Sequence, residues 1–269
     1  MLKIDENFRI NNISKMIFDR TFDKGFTFEG EAHNFWEIVY VVQGKIEVVE
    51  SENIYIMSDG DIIFHAPMEF HKICSAENTA PHVLNMSFTI EGTLPSIVKN
   101  GIFNLNDEQK NEYTKLFKFI KEVIIENQKS ASFFTQEAAY RLASFILHLC
   151  NTTQVQEPLS TTASALTYKS LVKLMRNEIN NNLSIKNLAE KSFISISYIK
   201  FLFQHYAGIS PKNYYNNLRI IEAKHLLEQG LSVTDTANKM NFSSPNNFVR
   251  FFKSITSITP YQYKNQSDL

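Results

Sequence analysis

GISPKNYYNN, from Gly208 to Asn217, returns near the C-terminus as SITPYQYKNQ, from Ser257 to Gln266. Ile, Ser or Thr, Pro and Tyr keep their order and spacing, 49 residues apart (257 − 208 = 49). The echo runs well upstream. Ala189 matches Ala237 and Ser195 matches Ser243, both 48 apart, while Phe203 matches Phe252 and Pro211 matches Pro260, both 49 apart. The register slips by one residue in the SSPNN stretch between Ser243 and Phe248. Each copy therefore reads as a helix carrying a small Ala, a turn, a second helix ending in an aromatic pair, and an I-S/T-P-x-x-Y closure.

That grammar is what a helix-turn-helix needs. A small Ala lets the second helix cross the first closely, and an apolar residue after the turn, Ile194 or Phe242, plugs the angle between them. Ser195 and Ser243 are suited to cap the second helix of each copy. Helical periodicity then divides the residues of that helix between two faces. Ile199, Leu202, Phe203 and Tyr206 form the inward stripe of the first copy, leaving Ser197, Lys200, Phe201 and Gln204 outward. In the second copy Phe248, Phe252 and Ile255 are expected inward, with Asn246, Asn247, Arg250 and Lys253 outward. Asn pairs with adenine, Arg with guanine, and Lys with phosphate or guanine, so this outward face carries the donors that a DNA groove demands.

Charge is distributed accordingly. The net charge of −1 conceals 14 Lys+Arg against 21 Asp+Glu in residues 1–150, or −7, and 13 against 7 in residues 151–269, or +6. The second half suits a polyanion and the first does not. No stretch is long and apolar enough for a membrane span, and MLKIDENFRINN has no apolar core of a secretion signal. Cys74 and Cys150 show no metal-ligand spacing and read as free thiols of a cytoplasmic protein.

Ahead of the repeat, residues 8 to about 90 read as strands. FWEIVYVVQG, KIEVVE, NIYIM, DIIFH and HVLNMSFTI are short, β-branched or aromatic, and separated by turn signals such as QGK and SDGD. This spacing predicts a small antiparallel barrel or sandwich. From Asp107 the period becomes helical, first through Tyr113, Leu116, Phe117, Ile120, Val123 and Ile124, then through Phe134, Ala138, Leu142, Phe145, Ile146 and Leu149. The expected organisation is a barrel over 1–106, a helical dimerisation segment over 107–151, a Ser/Thr-rich linker over 152–164, and tandem helix-turn-helix motifs over 165–269. The fold class is thus α+β multidomain, with an N-terminal β-barrel plus helices and an all-α C-terminal domain.

Residues 165–269 resemble the DNA-binding domain of the AraC/XylS family of bacterial transcription regulators. The match is carried by LSIKNLAEKSFISISYIKFLFQHYAGISPKNYYNNLRIIEAKHLLEQGLSVTDTANKMNFSSPNNFVRFFKSITSITPYQY. It includes the long helix between Pro211 and Gly230, whose ~19 residues at ~1.5 Å each span ~28 Å. The resemblance implies two reading helices about one DNA turn apart. Three positions depart from the family pattern. Asn241 and Ser257 stand where Gly is common, Asn being tolerant of a left-handed backbone. Phe201 stands where a base-contacting Arg is frequent, which points the first reading helix toward apolar contact with a thymine methyl.

EAHNFWEIVYVVQG, Glu31 to Gly44, is similar to the first motif of cupin barrels, and GDIIFHAPMEFH, Gly60 to His71, to the second. In cupin enzymes the corresponding positions bind a metal, and Glu31, His33, Glu37 and His71 are chemically able to hold a divalent ion. Glu31 replaces a usual His, however, so these residues and Trp36 are read as lining an organic-ligand pocket, with no metal and no cofactor. His65 and His82 are read as strand residues without a site role.

The resulting expectation is a cytoplasmic regulator, not an enzyme, whose barrel senses a small-molecule effector. Its partners are double-stranded promoter DNA, the effector, a second copy of the chain and RNA polymerase, with no membrane. Two alternatives remain: a metal-dependent cupin enzyme fused to a DNA-binding domain, and a barrel used only for dimerisation.

Overall fold

The computed structural model describes residues 7–50, 53–99, 101–126, 132–152, 155–156 and 163–267. The chain divides into two compact units, Met1–Phe28 with His33–Ser160, and Glu29–Ala32 with Thr161–Leu269.

The first unit is built on two antiparallel sheets. One orders β1 (Phe8–Thr21), β7 (His82–Gly92), β2 (Trp36–Gln43), β5 (Asp61–His65), β8 (Ile102–Asn104) and β9 (Val155–Gln156). The other orders β4 (Asn53–Met57), β3 (Ile46–Glu50) and β6 (His71–Ser75). The central strands of the larger sheet, β2 and β5, are buried on both faces. Alternation along a strand sends Trp36, Ile38 and Tyr40 to the face covered by α1 (Asp107–Lys121) and α2 (Ser132–Thr152). It sends Val39 and Val41 to the other face, where they meet Ile46, Val48, Tyr55 and Met57 of the smaller sheet. Gly44 makes the β2–β3 turn at φ 86°, and a Cβ there would stand 2.9 Å from Pro81 Cα, so the position requires glycine.

Asn106 caps α1 and Gln109 answers it, each side chain accepting from the other's backbone N–H, at 2.9 and 3.0 Å. Apart from Phe134, which is exposed, the stripes expected at a dimer contact are occupied within the unit. Tyr113, Leu116, Phe117 and Ile120 of α1, and Ala138, Leu142, Phe145, Ile146 and Leu149 of α2, share one core with the sheet. Of the expected linker 152–164, residues 153–154 and 157–162 lie outside the described residues. Val155–Gln156 is a strand paired with β8 rather than loop, and Ala163 already starts a helix.

The second unit holds α3 (Ala163–Asn177), α4 (Ile185–Ser192), α5 (Ile196–Tyr206), α6 (Pro211–Glu228), α7 (Val233–Lys239), α8 (Pro245–Thr256) and α9 (Pro260–Ser267). The repeated phrase opens α6 and α9. Ser210 and Thr259 cap, accepting from Asn213 N and Gln262 N, and Pro211 and Pro260 take the first helical position, where a missing N–H costs nothing. The Tyr four positions after each cap returns to its own motif's core: Tyr214 lies 5.1 Å from Phe203, and Tyr263 lies 5.7 Å from Phe252. The phrase is repeated because each motif needs the same device to turn the chain and seal the core beside its second helix.

The two turns also share one geometry. Phe193 and Asn241, 48 apart, both adopt the left-handed conformation at φ 58° and 55°. The next residue donates back across the turn in each, Ile194 N to Ala189 O at 3.2 Å and Phe242 N to Ala237 O at 2.9 Å. Ser257 is likewise left-handed, at φ 65°.

Candidate functional sites: two reading helices and a buried polar cluster

Each helix-turn-helix presents its second helix outward. On α5, Ile199, Leu202, Phe203 and Tyr206 are buried, and Ser197, Lys200, Phe201 and Gln204 are exposed, as periodicity predicts. Ser195 caps, accepting from Tyr198 N at 3.3 Å. Gln204 is partly committed, since its amide donates to the Gly208 carbonyl at 3.2 Å. Two rings flanking Phe201 went unread in the sequence: Tyr198 and His205 stack on it from either side.

On α8, Phe248 and Phe252 are fully buried while Asn246, Arg250 and Lys253 are exposed. Two expectations are corrected here. The cap is Ser244, whose Oγ accepts from Asn247 N at 3.2 Å, because the one-residue slip in SSPNN moves the helix start past Ser243. Ile255 is 37% exposed, since α8 ends one residue later and overhangs its core. Ser243 takes another role. It accepts from the Asn247 amide at 2.6 Å, and Asn247 Oδ1 accepts in turn from Arg250. Asn247 is only half exposed and acts here as the brace that orients the Arg250 guanidinium.

Beneath α8 lies a further residue that the sequence reading missed. Arg219 of α6 is buried, donates to the Met240 carbonyl at 2.7 Å, and holds its guanidinium carbon 4.2 Å from the Phe242 ring centroid. It ties the end of α7 to the plug of the second turn. Burial lowers its pKa, but from a value high enough that it stays charged.

In the first unit, four residues meet between the sheets at one end of the interior. Glu37 and His65 are register partners on β2 and β5, and Glu50 and His71 on β3 and β6. Each sheet therefore offers one carboxylate and one imidazole to the gap. Glu37 pairs across it with His71 at 3.1 Å, Glu50 with His65 at 3.2 Å, and the two imidazoles stack at 4.1 Å and 5°. His65 is thus a full member of the cluster, contrary to the strand-only expectation. Trp36 is not a member: its neighbour Glu37 points between the sheets, so Trp36 points to the helices.

His33 joins beside Glu37, with Nε2 3.9 Å from Oε2. His33 Nδ1 bonds the Phe35 carbonyl and His71 Nδ1 the Glu69 carbonyl, at 2.9 and 3.1 Å. A carbonyl only accepts, so both Nδ1 atoms carry protons and both Nε2 atoms turn toward Glu37. The ligand atoms of His33, Glu37 and His71 lie within 4.8 Å of one another, whereas Glu31 is exposed and falls in the second unit. This donor set fits a divalent cation in kind.

Burial would raise the Glu37 pKa, but its pairing with the His33 and His71 side chains outweighs it. The carboxyl is held well below the usual range. Glu50 lacks that support, and burial pushes it up to about 8, opposed only by His71. Burial, then His71, holds His65 well below the ordinary imidazole value. At neutral pH the gap therefore contains a charged Glu37 and a neutral Glu50–His65 pair.

A helix-turn-helix domain family matches residues 188–266, and the AraC-like ligand-binding domain family matches residues 20–143. The chain is an AraC-family transcription regulator. It is similar to the HTH-type transcriptional activator RhaS of Pectobacterium carotovorum, 23% identical over 251 residues that make up 87% of each chain. It is also similar to the Msm operon regulatory protein of Streptococcus mutans, 20% identical over 275 residues, 99% of this chain and 98% of that one. A crystal structure of a transcriptional regulator with an AraC-type DNA-binding domain from Chromobacterium violaceum aligns with 39% of this chain and 94% of that one, at 30% identity and a TM-score of 0.36. The two relatives are named as regulators of transcription, and regulators with this helix-turn-helix bind DNA. This AraC-family chain has, among its described residues, no helix long and apolar enough to cross a membrane.

Proposed function

We propose that this regulator binds promoter DNA in the cytoplasm by laying α5 and α8 in the major groove, and that an effector in the first unit modulates that binding. The observation that carries the reading is the braced Arg250: an exposed guanidinium aimed by Asn247, itself held by Ser243, on the outward face of a helix-turn-helix. A fork oriented in this way matches O6 and N7 of guanine. Asn246 is placed for a neighbouring base, and Lys253, Lys200 and Ser197 for phosphates. Gln204 serves the end of α5 more than the groove. The test is binding of the full chain to duplexes selected from a random pool, with affinity falling steeply as salt rises. Salt-independent binding, or none at low salt, defeats the reading.

The effector site is the cluster of His33, Glu37 and His71 in the first unit, without Trp36. Its convergent acceptors suit a ligand that offers donors, such as a polyol or an amine. Such a ligand raises the melting temperature of the folded unit. Dimerisation uses the side of α2 that the sheet leaves uncovered, where Phe133 is 83% exposed beside Phe134 and Tyr140. A second copy is the occupant that closes such a face symmetrically. RNA polymerase is a further partner of the DNA-bound form, and the chain works as a regulator without catalysing a reaction.

A second reading is favoured by the two imidazoles whose Nε2 atoms both face Glu37. In that reading His33, Glu37 and His71 hold a divalent ion, which supplies a fixed positive charge for effector or structure. Metal content of the purified protein decides between the two. A stoichiometric ion lost in His33→Ala and His71→Ala selects the second, and chelation without change in melting temperature selects the first.

A further inference from the structure

The matched outward positions of α5 and α8 differ in kind. An offset of 49 places Tyr198 against Asn247, Phe201 against Arg250 and His205 against Ser254. In α8 two of these three side chains form the hydrogen-bonded brace. In α5 all three are rings in one stacked strip: Tyr198 and Phe201 lie 6.0 Å apart at 12°, and Phe201 and His205 lie 5.8 Å apart at 6°. Phe201 is 56% exposed and Tyr198 40%, so the core of the motif leaves them outside. The strip begins in the first turn of α5, the part of a reading helix that meets base edges.

A phenyl ring has no donor or acceptor and cannot address N7, O6, N6 or N4. What the major groove offers such a ring is the 5-methyl group of thymine. Exposed lysine and serine on the same helix, Lys200 and Ser197, are placed to meet the backbone beside the strip. The basic balance of residues 151–269 favours a polyanion over a protein partner at this face.

We propose that α5 selects its half-site by packing the Tyr198–Phe201–His205 strip on pyrimidine 5-methyl groups, while α8 selects by hydrogen bonds. One protein thus reads two halves of its operator through two chemistries. The proposal rests on the DNA-binding reading above and specifies what the first motif reads. Each methyl withdrawn from contact weakens binding about four-fold, the equivalent of ~0.8 kcal/mol for one buried carbon.

The experiment uses the full chain and a duplex selected from a random pool. In one half-site at a time, deoxyuridine replaces thymidine, which removes only the methyl. The expected result is loss of about four-fold per contacted methyl in one half-site and little change in the other. Phe201→Ala binds the thymine and uracil duplexes equally. Tyr198→Phe keeps the ring and keeps the discrimination, and Arg250→Ala binds more weakly throughout but still discriminates. Because Phe201 is largely outside the core, its truncation leaves the helical unit folded, which circular dichroism verifies. Equal affinity of the unaltered protein for both duplexes overturns the proposal. So does discrimination that survives undiminished in Phe201→Ala, which assigns the effect to duplex shape. Failure to bind any selected duplex instead brings down the DNA-binding reading and this proposal with it.

Discussion

The two helix-turn-helix motifs agree over most of what packs and differ most where they face out. Both turns place a left-handed residue at the same position and make the same backbone bond behind it. Both second helices bury Phe at matched sites, Phe203 and Phe252, and both close with a capped proline and an inward tyrosine. Outward, one carries stacked rings and the other a braced guanidinium. Packing admits few solutions for two helices crossing a turn, whereas an exposed face is limited only by what it must meet. The second motif is also anchored from below, by Arg219.

That anchor gives the largest expected difference between the motifs. Arg219→Met keeps the volume but removes the bond to Met240, leaving a buried carbonyl unsatisfied, at a cost of roughly 2–3 kcal/mol. Native-state hydrogen exchange should speed up in α7 and α8 and leave α4 and α5 unchanged. Equal acceleration in both motifs would show that they unfold as one piece and dissolve the contrast.

Next in size is the braced guanidinium. Arg250→Ala should weaken cognate binding by roughly 1–3 kcal/mol and relax preference at one base pair. Lys253→Ala should weaken all sequences about equally. A mismatch series measures both, and a uniform loss for Arg250→Ala would make it a phosphate contact and bring the motifs closer in kind.

The two motifs should also stand apart from the first unit in their response to pH. Glu50 is raised from 4.5 to about 8, so above 4.5 the native state keeps a proton that the unfolded chain releases, and stability is lost as pH rises toward 8. His65 is depressed and works in the opposite sense below about 6.5, which leaves pH 6.5 to 8 as the window where Glu50 is unopposed by His65. There the first unit should lose up to about 1.4 kcal/mol per pH unit. Glu50→Gln should flatten that slope in denaturation curves, and an unchanged slope would remove Glu50 from the account.

The smallest effect tests the turns. Phe193 is 96% exposed and left-handed, so its ring contributes little packing to offset backbone strain. Phe193→Gly should stabilise by up to about 1 kcal/mol, and Asn241→Gly by less, because Asn already tolerates that conformation. Melting curves of the two variants compare the turns directly. A loss of stability in Phe193→Gly would mean that the exposed ring is held by something other than its own backbone.

The contrast between the motifs also marks what the sequence made legible. Inward stripes on α5 and most of α8 were readable, because a helix buried on one side repeats its apolar residues at fixed spacing. The Ser243 cap was misread because a one-residue insertion shifts a helix start without disturbing the stripe. In the first unit the strands were visible, but their faces were not. β2 is buried on both sides, so its alternation is silent and nothing in WEIVYV separates Trp36 from Glu37. The Glu50–His65 pair joins two sheets through register partners far apart in the chain, and no local pattern announces it. Val155–Gln156 was too short to read as a strand within a Ser/Thr-rich stretch.

Trp36 was expected in the pocket and lies on the other side of its strand. It is the only tryptophan in the chain, buried against the helices with the Lys99 ammonium 5.7 Å from its ring. Its emission therefore belongs to the first unit alone, whatever the helical unit does. Because it shares a peptide bond with Glu37, a ligand that tilts β2 between the sheets also shifts the indole on the opposite face. The protein thus carries an intrinsic optical readout of its own sensor, usable in the presence of DNA and without a label.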